Sequence, residues 1–312
     1  MRARIENRSH PGWMTTMAVA FVAAVLLPIN DAAAESATLG RVRGAGKITL
    51  GYRSDARPFA YKDESGNAAG YAIDVCKSVA ERVKAELGVA TLAVEWVPVT
   101  IDDRVRVVQE SKVDLLCGAD GVTLSSRKDL AFSIPIYPGG IGALLRSDAS
   151  FRLREVLAKG RQAGPFWRAS PAQILEKRRF SAVKGTPGER WLGSELDKLE
   201  IDAAVVSVAS YDAGVQQVLD RGADAFFADR AILLEAVRRS PSARDLMVLD
   251  RRFTVTPYAL ALQRGDDDFR LVVDSALSRL LGSDAFPALY AKWFGPFDEY
   301  TRAFFQIVAL PE

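Results

Sequence analysis

The stretch GYRSDARPFAYKD, residues 51–63, puts Arg53 just after the apolar run Lys47-Ile48-Thr49-Leu50. An arginine at the end of a strand that should enter a core is either a solvated loop residue or one side of an anion site. A guanidinium presents a planar fork of donors that fits a carboxylate through two parallel hydrogen bonds. Two further segments offer anion chemistry through the backbone. Gly118-Ala119-Asp120-Gly121 closes a strand, and small residues there let main-chain N–H groups approach a ligand. Thr186 lies in Gly185-Thr186-Pro187-Gly188 at the start of a helix, where free N–H groups and the dipole favour an anion. Pro187 has no N–H to add to that set.

Imidazole catalysis is excluded from the mature chain. The only histidine, His10, lies in an N-terminal stretch laid out as a secretory signal. Arg2, Arg4 and Arg8 precede an apolar run from Trp13 to Ile29, broken by Pro28, and Ala32-Ala33-Ala34 precedes Glu35. A retained anchor is the alternative, but the run is short for a bilayer. Without residues 1–34 there is no Ser-His-Asp or Cys-His arrangement and no histidine metal ligand. The expectation is no catalytic residue, no metal and no cofactor. Two cysteines remain, Cys76 and Cys117. An oxidising compartment favours a disulfide between them, two buried thiols being the alternative. Of the 312 residues, 49% are hydrophobic and 26% charged, with a net charge of +2. Such a chain folds as one large or two smaller domains, and nothing in its charge asks for nucleic acid.

Strands alternate with helices around these residues. Residues 46–52, 91–99 and 113–118 read as strands, with helices over 71–87 and 101–109 between them. The pattern recurs with strands at 180–185, 201–208, 223–229 and 254–263. Helices are expected over 190–199, 211–221, 232–239, 271–281 and 285–293. Such alternation predicts βαβ units, a mostly parallel sheet and two successive α/β units. Two units that face each other leave a cleft beyond the strand ends, a usual place for a small molecule. Residues 150–178 break the alternation and read as an insertion of helix and loop.

Six segments in order resemble the polar amino-acid branch of the bacterial extracytoplasmic solute-binding proteins of ABC transporters. They are GYRSDARPFAYKDESGNAAGYAIDVCKSVAERV, VTIDDRVRVVQESKVDLLCG, TLSSRKDLAFSIPIY, ADAFFAD, YALALQRGDDDFRLVVDSAL and LYAKWFG. The resemblance covers nearly the whole mature chain except residues 150–178. It implies an α/β, two-lobed periplasmic binding protein fold of type II, with the ligand in the interlobe cleft and two hinge crossings. These crossings are expected near Pro138–Ile141 and Thr256–Tyr258. Lobe one then comprises residues 35–140 and 257–312, and lobe two residues 141–256.

The same resemblance assigns roles. VTIDDR is similar to the Thr-x-x-x-Arg of glutamate- and aspartate-binding members, so Arg53 and Arg104 would clamp a side-chain carboxylate. Arg104 is otherwise an ordinary arginine on a helix. Phe59, after Pro58, would pack on the ligand or else in the core. The family arginine for the α-carboxylate falls on Ser126, and Arg127 stands one residue late in its place. Ala119, Gly121 and Thr186 would offer backbone or hydroxyl groups. Asp229 would accept the ligand ammonium, or cap the helix after it.

The implied function is a periplasmic receptor that passes a small polar, acidic amino acid to an ABC permease in the inner membrane, acting as a monomer. A second class is an enzyme on this fold, of the prephenate or arogenate dehydratase kind, with Glu189 as the available carboxylate. A third is a sensor or accessory protein of an exported oxidoreductase system.

Overall fold

The computed structural model describes residues 36–159 and 170–311. The expected leader, residues 1–34, and the middle of the expected insertion, residues 160–169, lie outside the described residues. The first sheet has the order β5-β1-β6-β13-β7. Its strands are β1 (Lys47–Arg53), β5 (Ala93–Val99), β6 (Leu115–Gly121), β7 (Ala131–Gly139) and β13 (Thr256–Leu262). The second has the order β10-β9-β11-β8-β12. It is built from β8 (Ile141–Arg146), β9 (Arg179–Val183), β10 (Ala204–Val208), β11 (Ala225–Asp229) and β12 (Leu246–Val248). A small antiparallel sheet of β2 (Asp55–Ala56), β3 (Ala60–Lys62) and β4 (Ala68–Ala69) follows β1.

Helices cover both sheets. α1 (Ala37–Ala45), α2 (Tyr71–Glu86), α3 (Arg104–Gln109), α9 (Asp267–Leu281), α10 (Phe286–Phe294) and α11 (Glu299–Val308) belong to the first. α4 (Phe151–Lys159), α5 (Pro171–Leu175), α6 (Pro187–Lys198), α7 (Tyr211–Leu219) and α8 (Arg230–Arg239) belong to the second. The periodicity of α2 explains its place: Ile73, Val75, Cys76, Val79 and Val83 are fully buried and share a core with Ile48, Leu50 and Leu115. Gly70 opens that helix at a φ of 131°, and a Cβ there would lie 2.3 Å from the carbonyl oxygen of Phe59.

Both sheets are more mixed than the alternation predicts. In the first, β5, β1 and β6 run parallel, while β13 is antiparallel to β6 and to β7. In the second, β10, β9 and β11 run parallel and β8 is antiparallel to β11 and β12. The antiparallel strands β7, β8 and β12 are absent from the sequence-based assignment. Pro135, Pro138, Gly139 and Gly140 punctuate β7 and β8, and β12 has only three residues. Helix α3 starts three residues later than expected, so Asp102 and Asp103 precede it and Arg104 is its first residue.

The chain passes from the first sheet to the second at Gly140 and returns between Val248 and Thr256. The return thus comes just before the expected position, because residues 256–258 already pair with β7. The two passages touch. Ile141 N–H donates to Thr254 Oγ1 at 3.0 Å and Phe253 N–H to the Ile141 carbonyl at 2.8 Å. A Cβ at Gly140 would lie 2.1 Å from the Thr254 carbonyl oxygen. A Gly140→Ala variant is expected to lose about 1–3 kcal/mol of stability, measured by urea denaturation. A midpoint unchanged from the parent would contradict this close approach.

The disulfide joins Cys76 of α2 to Cys117 of β6, with Cα atoms 6.2 Å apart. It fastens a core helix to the strand that goes on to Gly118–Gly121.

Candidate functional site

A cavity of about 520 Å³ lies between the two sheets. Arg53, Arg104, Ala119, Asp120 and Gly121 line it from the first sheet, and Thr186, Gly188, Arg190, Tyr211 and Asp229 from the second. Thr254, Thr256 and Tyr258 close it at the crossings. Six of the expected site residues are therefore brought together: Arg53, Arg104, Ala119, Gly121, Thr186 and Asp229. Two are not. Phe59 is fully buried in the first core, its ring centre 4.9 Å from that of Tyr137 and 5.5 Å from that of Phe294. Arg127 lies exposed in a short 3₁₀ turn outside the cavity lining. It is Ser126 that lines the cavity, its hydroxyl bonded within the loop to Thr123.

The arginines are not bare charges. Arg53 donates from Nε and Nη2 to the two oxygens of Asp55, at 2.9 and 2.8 Å. Its guanidinium carbon also lies 5.8 Å from the ring centre of Tyr211, across the cavity mouth. Arg104 donates from Nε to Asp120 Oδ1 at 3.2 Å and from Nη1 to the Ile101 carbonyl. Its Nη2 has no acceptor among the described residues. β6 continues to Gly121, so Asp120 sits on a strand inside the cavity rather than in a turn beyond it. Burial pushes the Asp120 carboxyl above the ordinary carboxylate range, while the charges of Arg104 and Arg53 pull it back down.

Asp229 is held from four directions. Oδ1 accepts from Ala231 N–H at 2.8 Å and Ile232 N–H at 3.3 Å, capping α8. Oδ2 accepts from Gly140 N–H at 3.1 Å and Tyr258 O–H at 2.8 Å. Burial raises its affinity for a proton, and these four bonds to the ionised form oppose the rise. The helix cap considered from the sequence is thus present, and the same carboxylate ties α8 to the outgoing passage and to the strand that follows the return.

On the facing wall, the Thr186 hydroxyl caps α6. It accepts from Glu189 N–H at 3.3 Å and donates to the Val183 carbonyl at 2.6 Å. Pro187 supplies no N–H, so Gly188 carries the first free donor of the helix. Arg190 donates from Nη1 to the Gly185 carbonyl at 3.0 Å and is part of the cavity lining. Glu189 lies outside the cavity lining. Its carboxylate is held ionised by the Ser207 hydroxyl and by Gly185 N–H.

Sequence reasoning missed Arg190, Tyr211 and Tyr258, and gave Asp120 no role as an acid. Arg190 follows Pro187 by one short turn, which is a readable signal. Asp120 interrupts an apolar strand, which is another. Tyr211 and Tyr258 reach the cavity only through tertiary placement. Among the described residues no group of His, Cys, Asp and Glu is arranged to hold a metal ion. No described helix is long and apolar enough to cross a membrane.

Comparison with known proteins agrees with this geometry. The sequence profile of bacterial extracellular solute-binding proteins, family 3, matches residues 48–296. The L-glutamate/L-aspartate-binding protein of Pseudomonas aeruginosa PAO1 is 27% identical over 279 residues, covering 89% of this chain and 86% of its own. The glutamine-binding protein GlnH of Bacillus subtilis 168 is 23% identical over 257 residues, covering 82% and 84%. Among solved structures, an ancestral amino acid-binding protein described as a precursor of cyclohexadienyl dehydratase superposes with a TM-score of 0.66. It is 24% identical and covers 82% of this chain and 99% of its own, a likeness of fold.

Proposed function

We propose, from the premise that this chain belongs to the bacterial extracellular solute-binding proteins, family 3, that it captures a small acidic amino acid in the periplasm for an ABC permease. The observation that carries this reading is the presence of Arg53, Arg104 and Asp229 on one interlobe cavity. In this reading the ligand's side-chain carboxylate meets Arg104 Nη2 and the Arg53 guanidinium. Its α-carboxylate meets Gly188 N–H and Arg190, which take over the part expected of Arg127. Its ammonium lies against Asp229 and Tyr258. Ala119 and Gly121 leave room for the ligand, and Thr186 supports the helix terminus at which it binds. The glutamate- and aspartate-binding relative supports the acidic class.

The mature protein is read as a monomer released by cleavage after residue 34. Residues 35–140 with 257–312 form one lobe, and residues 141–256 the other. Lobe closure upon the ligand is its work, and no covalent step is assigned. Glu189, the carboxylate at hand for a dehydratase, is committed to Ser207 and Gly185 away from the cavity.

Titration calorimetry with glutamate, aspartate, glutamine, asparagine, cystine and arginine tests this. Glutamate or aspartate is expected to bind, and Arg104→Ala to weaken that binding about 10–100-fold, the worth of one hydrogen bond to a charged group. Heat from none of the six, with no thermal shift, would sink the reading.

A further inference from the structure

Asp120 and Asp55 each share an arginine with the expected ligand, and of the two Asp120 lines the cavity. Its Oδ1 accepts from Arg104 Nε at 3.2 Å, and its Oδ2 accepts no hydrogen bond among the described residues. A Cβ at Gly118 would lie 3.1 Å from Oδ2, so this oxygen folds back over β6 beside a glycine. The Asp120 and Arg104 side chains are 16% and 19% exposed, so little water screens them. An acidic side chain that reaches Arg104 therefore brings a second carboxylate to a guanidinium that already serves one. Two carboxylates that share a buried site cannot both stay ionised without large cost, and one takes up a proton.

The charges around Asp120 determine which carboxylate that is. Arg104 faces it from α3 and Arg53 from β1, the latter already bonded to Asp55. β13 beside it contributes Tyr258 to the cavity, and the second sheet contributes Arg190, Tyr211 and Asp229. Asp129, after the loop, completes the charged lining. Asp229 already accepts four donors, which favour its ionised form. Asp120 accepts one, and burial already favours its neutral form.

We propose that an acidic amino acid enters this cleft together with one proton, bound on Oδ2 of Asp120, which then donates to the ligand carboxylate held by Arg104. The proton comes from solvent and leaves with the ligand. An amide ligand of the same length needs no proton, because it adds no charge. Asp120 thus sets the pH range in which acidic and amide ligands are told apart. This inference rests on the amino-acid reading above.

The linkage has a definite sign. A ligand carboxylate raises the Asp120 pKa further, so binding takes up a proton at pH values between the free and the liganded pKa. In that window affinity for an acidic ligand falls with rising pH, by up to tenfold per pH unit for one proton. The free value already lies above the ordinary carboxylate range, so the window opens above that range.

The test is calorimetry of L-glutamate, L-aspartate and L-glutamine at pH 5, 6, 7 and 8, each in two buffers that titrate at that pH with unlike ionisation enthalpies. The difference between buffers counts protons. Uptake approaching one proton per glutamate, and none per glutamine, is expected of the parent protein. Asp120→Asn keeps an acceptor for Arg104 and places an N–H₂ where the proton would sit. It is expected to bind glutamate without uptake and with no dependence on pH over this range. Glutamate binding to the parent without uptake overturns the proposal and leaves the amino-acid reading intact. Equal uptake with glutamine also overturns it. An Asp120→Asn protein that keeps the parent's thermal midpoint yet binds none of the probes overturns it too, since Asp120 would then hold the ammonium. Neither glutamate nor aspartate binding to the parent at any pH removes both this proposal and the acidic-ligand reading.

Discussion

Asp229→Ala is expected to lower the stability of the fold by about 3–5 kcal/mol and to remove amino-acid binding. The carboxylate satisfies Gly140 N–H, Tyr258 O–H and the first two free N–H groups of α8. Loss of a helix cap costs about 1 kcal/mol. Each buried donor left without an acceptor costs about 1–3 kcal/mol, less where water from the cavity reaches it. Asp229→Asn separates the parts. Its amide oxygen still caps α8, but its N–H₂ faces two donors, so about half of the loss is expected to remain. Urea denaturation of the parent and both variants checks this. An alanine variant within 1 kcal/mol of the parent would show that the four bonds do not act together.

The second large effect concerns Cys76 and Cys117. The bridge closes a loop of 41 residues. Chain-entropy arguments give a loop of that length about 4 kcal/mol of stabilisation through the unfolded state. Reduction, or a Cys76→Ser/Cys117→Ser double variant, is expected to lower the denaturation free energy by about that amount. It also frees β6 from α2 just ahead of Ala119, Asp120 and Gly121, so ligand affinity should fall with it. If reductant leaves both the midpoint and the affinity unchanged, the bridge contributes neither.

Much of this architecture is legible from the sequence, and the parts that are not have physical reasons. The parallel strands β1, β6, β9 and β11 are short apolar runs bounded by turn residues, and their helices carry clear 3.6-residue periodicity. β7 and β8 hide because prolines and glycines punctuate them, and such residues usually mark loops. α11 hides because its periodic face appears only after the family signature has ended. At the site, Arg53, Arg104 and Asp229 are legible as residues with unusual places. Their partners are not. Asp55 stands two residues from Arg53, but nothing along the chain says that Asp120 occupies Arg104, since that pair spans 16 positions. Phe59 and Arg127 show the converse limit. Both occupy expected places in the motif, yet one ring turns into the core and the other side chain turns to solvent.

The contact of Arg53 with Tyr211 bears on time rather than affinity. The guanidinium comes from the end of β1 and the ring from the start of α7, on opposite sides of the mouth. Nearby, a Cβ at Gly185 would lie 3.9 Å from the Ile101 side chain, so the rims approach there as well. For a solute bound between these walls, parting of the contacts is a step on the way out. The solute's dwell time then depends on how often the rims separate, and its capture rate on how long they stay apart. Two ligands of equal affinity can therefore differ in how long they remain available to the permease.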